Sequence, residues 1–237
     1  MGSIDDLIAV QDLDTRTDQL RHQRDTLPAL VALADAEAAR SEVAGRANVV
    51  GARLHDLRRK EKALEDEASL VEDHAAEIER KLYDGSVVAH KELEAFQADH
   101  RSLKARQSEI EDQALELLEE AEPVAAEVEG FEAELAAHDA RIAGLTADLQ
   151  DARILLDGEI AELLSQRGAL AEGVPSEVLE AYESIRARLG GVGAARLTGN
   201  RCEGCHLEIP SAELEALRHA PADAVLACPE CSRILVR

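Results

Sequence analysis

The chain has 237 residues, 49 acidic against 26 basic, and a formal net charge of −23. Aromatic side chains make up 2% while hydrophobic residues reach 46%, so a globular core built on large rings is excluded, and long Ala/Leu/Glu/Arg helices are expected instead. So negative a surface repels a phosphate backbone along most of its length. The apolar runs fall far short of the roughly 20 residues a membrane span needs.

In chain order, Leu13, Leu20 and Leu27 hold a seven-residue repeat. A second apolar stripe follows with alternate steps of three and four: Val50, Leu54, Leu57, Glu61, Leu64, Ala68, Val71, Ala75, Ile78 and Leu82. The early leucines are one position out of phase with the later seam, which predicts a stutter or bend between about 28 and 50. Tyr83-Asp84-Gly85-Ser86 reads as a helix stop and restart, with Gly85 available for a left-handed cap. Beyond it the stepping pattern resumes at Leu93 and Phe96 and runs to Ala152 and Leu156. Of its 19 positions 16 are apolar, the exceptions being His100, Gln107 and His138, read as register-fixing polar residues. The fold class expected is mainly α: a long antiparallel coiled-coil hairpin over 1–173, turning near 83–87.

Folding at residue 85 places Pro123 opposite Asn48, and Pro28 opposite Ala143 beside Gly144. Helix breakers at matching heights predict two coordinated bends, against a reading as isolated tolerated kinks. The same register sets Glu65, Asp66 and Glu67 against Lys104 and Arg106, and sets Arg58, Arg59, Lys60 and Lys62 against Glu109, Glu111 and Asp112. Between Arg80 and Ile110 the acidity nearly vanishes, with six basic and five acidic residues. That makes the tip either ordinary pair-setting charge or a docking surface.

The seam ends near Leu170. Gly173-Val174-Pro175-Ser176 breaks it, and Ser176 to Leu189 reads as a short amphipathic helix with Val178, Leu179, Tyr182 and Ile185 on one face. Gly190, Gly191 and Gly193 mark a flexible joint, so 174–193 is a neck and 194–237 a separate domain. All four cysteines fall there, as Cys202-x-x-Cys205 and Cys228-x-x-Cys231. Two such knuckles are the spacing of a four-thiolate zinc site, and a sequence so segregated disfavours disulfides. Strands are expected at Ala194 to Leu197, Leu207 to Ile209, Val225 to Ala227 and Ile234 to Val236, with a helix inserted at Ser211 to Arg218. Four protein thiolates leave no open position for water, so one structural zinc ion on Cys202, Cys205, Cys228 and Cys231 is expected, with no catalytic residues. His206 is read as an exposed knuckle residue in preference to a ligand, and His219 as a surface or capping residue.

From Arg186 onward the balance is +1, so the preceding 185 residues carry −24. Only the ribbon end, through Arg188, Arg196, Arg201, Arg218 and Arg233, suits a nucleic acid, and it lacks exposed aromatics for stacking.

The run Lys81-Leu-Tyr-Asp-Gly-Ser-Val, then Lys91-Glu-Leu93 and Lys104-Ala-Arg-Gln-Ser-Glu-Ile-Glu-Asp112, carries a resemblance, as does the ending Cys202-x-x-Cys205-His206 and Cys228-Pro-x-Cys231-x-Arg233-Ile-Leu. The chain resembles the bacterial C4-type zinc-ribbon proteins with a long N-terminal coiled-coil hairpin. The typical ending has Gly before the Arg, where this chain has Ser232. The resemblance implies zinc on the four cysteines, and some relatives look like adaptors in flagellar gene control that contact a sigma factor and a transcript. The function expected is a non-enzymatic adaptor or scaffold in the cytoplasm. It would use protein partners at the tip or ribbon, no membrane and no small-molecule substrate. Nucleic-acid binding through the ribbon is the alternative.

Overall fold

The computed structural model describes Ile4 and residues 6–85, 87–221 and 224–237. Ser86 of the expected turn and Asp223 of the charge count lie outside the described residues. Five helices and four short strands follow in order among those described: α1 (Asp6–Asp25), α2 (Pro28–Tyr83), α3 (His90–Ala171), α4 (Ser176–Arg188), β1 (Ala194–Thr198), β2 (Arg201–Cys202), α5 (Ser211–His219), β3 (Leu226–Ala227) and β4 (Ile234–Val236). The chain divides into two compact units, one of residues 1–32 with 145–237, the other of residues 33–144.

Residues 33–144 hold the hairpin turn. A helix pair this poor in large side chains can bury only a narrow stripe, so the seam is legible in accessibility. Every one of the 19 stepped positions from Leu93 to Leu156 is buried or half-buried, and between them only Ala125 joins the covered set. The α2 stripe from Val50 to Leu82 is covered at all its positions too. Leu54, Leu57, Ala121 and Val124 form the most buried cluster, flanked by Val50, Leu117 and Val128. Leu57 is 5% exposed, and Leu57→Ala is expected to cost about 2–4 kcal/mol in a denaturant melt, as cavities in packed cores do.

Ion pairs edge the seam: Arg53 with Glu120 at 2.7 Å, Arg46 with Glu134 at 3.5 Å, and Arg106 with Glu67 at 2.9 Å. The Arg46 guanidinium also sits 5.4 Å from the Phe131 ring centre. A fold at residue 85 would place Glu67 opposite Lys104 and Arg53 opposite Leu118. The partners of Glu67 and Arg53 lie two residues further along α3, because α2 stops at Tyr83 and α3 starts only at His90, while Glu134 lies nine residues beyond the position opposite Arg46. Gly85 takes the positive φ of 76° expected of it. Three residues of the basic run expected to reach across, Arg59, Lys60 and Lys62, pair instead within their own helix. Arg59 and Lys60 pair with Asp56, and Lys62 with Glu65 and Asp66, all within one turn of α2, where a carboxylate on their own helix face is nearer than the opposite arm.

The two prolines differ. Pro123 stands inside α3, which is unbroken from His90 to Ala171. Pro28 opens α2 as its first residue, where its missing N–H costs nothing, and the helix before it has already ended at Asp25. The phase offset of the early leucines is therefore absorbed at Thr26 and Leu27, just before the expected interval. Thr26 closes α1 by donating its hydroxyl to the His22 carbonyl at 2.7 Å.

In the other unit the strands form one sheet in the order β2-β1-β4-β3. β1 pairs antiparallel with β2 and parallel with β4, and β3 pairs antiparallel with β4. Leu207 to Ile209, expected as a strand, makes a single bridge from Glu208 to Arg201. The left-handed turn at His206 re-aims the chain before a second pair can form.

The sheet is covered on both faces, which the period-two alternation of its central strands permits. Ala194, Ile234 and Val236 join Leu7, Ile8 and Val10 of α1 and Val174, Val178 and Tyr182 of α4 in one core. Ala195 and Leu235 face the other way, with Cys202, Cys228, Ile209, Leu226 and Leu214 of α5. β4 thus has no polar face: all three of its residues are buried.

The glycine-rich segment expected as a joint is held by hydrogen bonds to α1. Gln11 accepts from the Gly193 amide at 2.7 Å and the Ala194 amide at 3.3 Å, and donates to the Gly191 carbonyl at 3.0 Å. Gly190 supplies a left-handed φ of 67° where α4 ends. A Cβ on Gly193 would lie 2.7 Å from the Tyr182 carbonyl and ring. Gly193 is there for close approach and Gly190 for its left-handed turn, and Gly193→Ala should lower the stability of this unit by about 1–3 kcal/mol, read by thermal melting.

A candidate metal centre in the ribbon

The two knuckles are built alike. In the first, the Cys202 amide donates to the Leu207 carbonyl at 3.1 Å and the His206 amide to the Cys202 carbonyl at 2.8 Å. In the second, Cys228 donates to Arg233 at 2.9 Å and Ser232 to Cys228 at 2.9 Å. Each loop is a tight turn that ends on a positive φ, 60° at His206 and 62° at Ser232. Such a turn aims both sulfurs of a knuckle, and the two loops face each other.

All four sulfurs fall within 4.8 Å of one another. Cys202 Sγ lies 4.0 Å from Cys231 Sγ, and Cys205 Sγ lies 3.9 Å from Cys228 Sγ. A tetrahedral ion with metal–sulfur bonds near 2.3 Å needs sulfur–sulfur edges of roughly 3.8 Å. Disulfides need contacts near 2.05 Å, about half of what is seen. The donor set fits one zinc ion with every position filled by protein.

Burial pushes the Cys228 thiol up to about 12 and raises Cys202 as well. At Cys231 burial works upward too, but the Arg233 backbone and side-chain N–H groups outweigh it and bring the thiol down to about 7. A divalent ion is what allows four close sulfurs to be thiolates together, and loading it must expel protons. Zinc should therefore leave as the pH falls below about 5, measured by release to a colorimetric chelator.

Three residues around the centre carry no cysteine signal. Gly204 has no room for a side chain: a Cβ there would lie 2.7 Å from Arg233 Cδ and 2.9 Å from Ala195 Cβ. Arg233 crosses this glycine and donates to the Val192 carbonyl at 3.0 Å, tying the second knuckle to the chain that enters β1. Ser232 explains why Gly is typical before that Arg, since its positive φ is one that glycine adopts freely. Ser232→Gly should retain zinc at least as tightly and melt slightly higher, whereas a β-branched residue there should loosen it.

His206 is exposed and is not among the clustered donors. His219 Nδ1 lies 2.8 Å from the Glu215 carbonyl in the last turn of α5, a capping position as expected. Of the five arginines singled out for nucleic acid, four have an internal bond. Arg188 donates to Ser184, Arg201 to His206, Arg218 to Gly199 and Arg233 to Val192, all through backbone carbonyls.

The first family model to match, a CT398-like coiled-coil hairpin domain, covers residues 10–190. The chain belongs to the CT398-like coiled-coil hairpin family. A C4-type zinc ribbon domain matches residues 201–235, so the four cysteines fall inside it and the chain carries one structural zinc. An uncharacterized protein of Mycobacterium tuberculosis is 31% identical over 98% of this chain and 94% of its own length. A solved Mycobacterium smegmatis structure aligns over the whole of both chains with a TM-score of 0.83 at 27% identity. CT398 from Chlamydia trachomatis shares the fold at a TM-score of 0.67 and 19% identity, over 98% of this chain and 95% of that one. In this chain the hairpin match precedes the ribbon match, an order legible from the heptads and the knuckles.

Proposed function

We propose that this chain is a non-enzymatic adaptor: a coiled-coil hairpin that holds protein partners, carrying a ribbon whose zinc is bound by Cys202, Cys205, Cys228 and Cys231. The observation that carries the reading is the closed donor set. Four sulfurs in tetrahedral contact leave no place for substrate or water on the ion, which makes the metal a fastener. Hairpin and ribbon domains of this kind serve as structural or binding modules, in keeping with a scaffold.

The division of labour follows the sequence: residues 1–173 for the hairpin, 174–193 for the connection and 194–237 for the ribbon. The place of action proposed is the bacterial cytoplasm, among the machinery of gene expression. No described helix is long and apolar enough to cross a membrane. Nucleic-acid binding through the ribbon is the weaker reading, because four of its candidate arginines already serve backbone carbonyls.

Crosslinking mass spectrometry on the chain taken from its own cells tests the proposal. Crosslinks from Lys81, Lys91 or Lys104 to a transcription or translation component are expected. Internal crosslinks alone, with RNA co-purifying, would overturn the adaptor in favour of the nucleic-acid reading.

A further inference from the structure

In the unit of residues 33–144 the seam thins at one level. Ala68 and Ala114 stand at seam positions where leucines stand a turn away, at Leu64 and Leu117. Their short side chains leave an open groove of about 420 Å³ between the helices, which Ser69 also lines. Beside it α3 exposes two leucines that belong to no seam, Leu115 at 55% and Leu118 at 41%. Three residues apart, they make a single apolar ridge on the helix surface.

Glutamates surround this floor: Glu61, Glu65, Glu72 and Glu111. Glu61 occupies a seam position, half-buried, and forms no ion pair among the described residues. Glu72 has no ion pair there either. Glu65 meets Lys62 at 3.3 Å, and Glu111 accepts from the Gln107 amide at 2.7 Å. Glu65 and Glu72 stand two helical turns apart, the spacing at which a second helix presents successive side chains of one face.

We propose that this groove is the docking site for a basic amphipathic helix of a partner protein, laid along α2 and α3 as a third strand of the coiled coil. The inference rests on the adaptor reading and names the chemistry of its partner. Leu115 and Leu118 receive the apolar stripe of the incoming helix, and the small residues at Ala68 and Ala114 admit it closely. Its Lys and Arg side chains meet the four carboxylates, the half-buried Glu61 among them, which gains most from a cation. A second copy of this chain does not suit the groove, since at −23 it brings more carboxylates to carboxylates. Nucleic acid is refused for the same reason.

The test uses the full chain and two fluorescein-labelled synthetic Leu/Lys peptides of identical composition. One has leucines on a single helical face, and the other has them scrambled. The patterned peptide is expected to bind at least about tenfold more tightly, an advantage that Leu115→Ser with Leu118→Ser removes. Tyr83→Ala at the tip leaves it intact. Replacing the four glutamates by Gln weakens binding and flattens its salt dependence. Equal binding of both peptides, or an advantage that survives loss of the two leucines, overturns the proposal. Partner crosslinks in cells that persist in the double Leu variant would sink the groove while leaving the adaptor standing. Peptide discrimination without any cellular partner would do the reverse.

Discussion

Stripping the zinc is expected to unfold more than the ribbon. With chelator, or with Cys228→Ser, the near-ultraviolet circular dichroism of Tyr182 should collapse along with the metal site. The reason is the shared sheet. Ile234 and Val236 lie on one face of β4 in the core with Tyr182, while Leu235 lies on the other with Cys202 and Cys228. A strand three residues long cannot keep one face packed while the loop preceding it dissolves. Structural zinc sites of this class supply an apparent binding energy of about 10–16 kcal/mol, more than a sheet this small otherwise possesses. The readout is clean because the chain has no Trp and two Tyr, and Tyr83 is 83% exposed whereas Tyr182 is fully buried. Far-ultraviolet signal from residues 33–144 should persist, since their core contains no ribbon residue. A Tyr182 signal that outlasts complete removal of zinc would show that the two faces of the sheet fold independently.

The second large effect is expected at Asp14, which is 4% exposed inside α1. Its carboxylate accepts from Tyr182 Oη at 2.7 Å and from Arg167 Nε at 3.2 Å, and Arg186 Nε approaches to 3.7 Å. Arg167 also pairs with Glu183, and Arg186 with Asp18 at 2.5 Å. One carboxylate thus fastens α1, the end of α3 and α4 together. Asp14→Ala leaves two largely buried guanidinium groups without their central partner and should cost about 3–5 kcal/mol in chemical denaturation. Tyr182→Phe, which removes one hydrogen bond and keeps the ring, should cost only about 1–2 kcal/mol.

The tyrosine adds a pH signature. Burial first, and then the bond to Asp14, raise the Tyr182 phenol above its ordinary value of 10.0. The unfolded chain can ionise this phenol near pH 10 while the folded one resists. The stabilisation is therefore full below about pH 10 and is lost as the pH rises beyond it. Tyr182→Phe should flatten that alkaline decline, followed by denaturant midpoints between neutral and alkaline pH.

Much of this protein was legible in its amino acids. Coiled-coil seams are local and periodic, so the stripe from Leu93 to Leu156 could be read without knowing its partner, and each of its positions is covered. Paired knuckles are likewise local: two cysteines at fixed spacing define the loop that holds them. The turn at Gly85 is a property of a single residue, whereas the bend expected between 28 and 50 falls instead at the helix break before Pro28. What the sequence could not show was where short elements from distant positions meet. Gln11 and Asp14 read as ordinary polar residues of an acidic helix, and nothing adjacent to them announces Gly193, Arg167 or Tyr182, which stand more than 150 residues away. Three glycines in a row of four suggested a loose joint, because backbone freedom is a property of the residue. Whether that freedom is used for motion or for close packing is decided by what lies against it. Composition and period determined the helices, the turn and the metal. Tertiary structure alone decided that the ribbon is seated in the core of α1 and α4, since burial and a shared carboxylate are relations between segments.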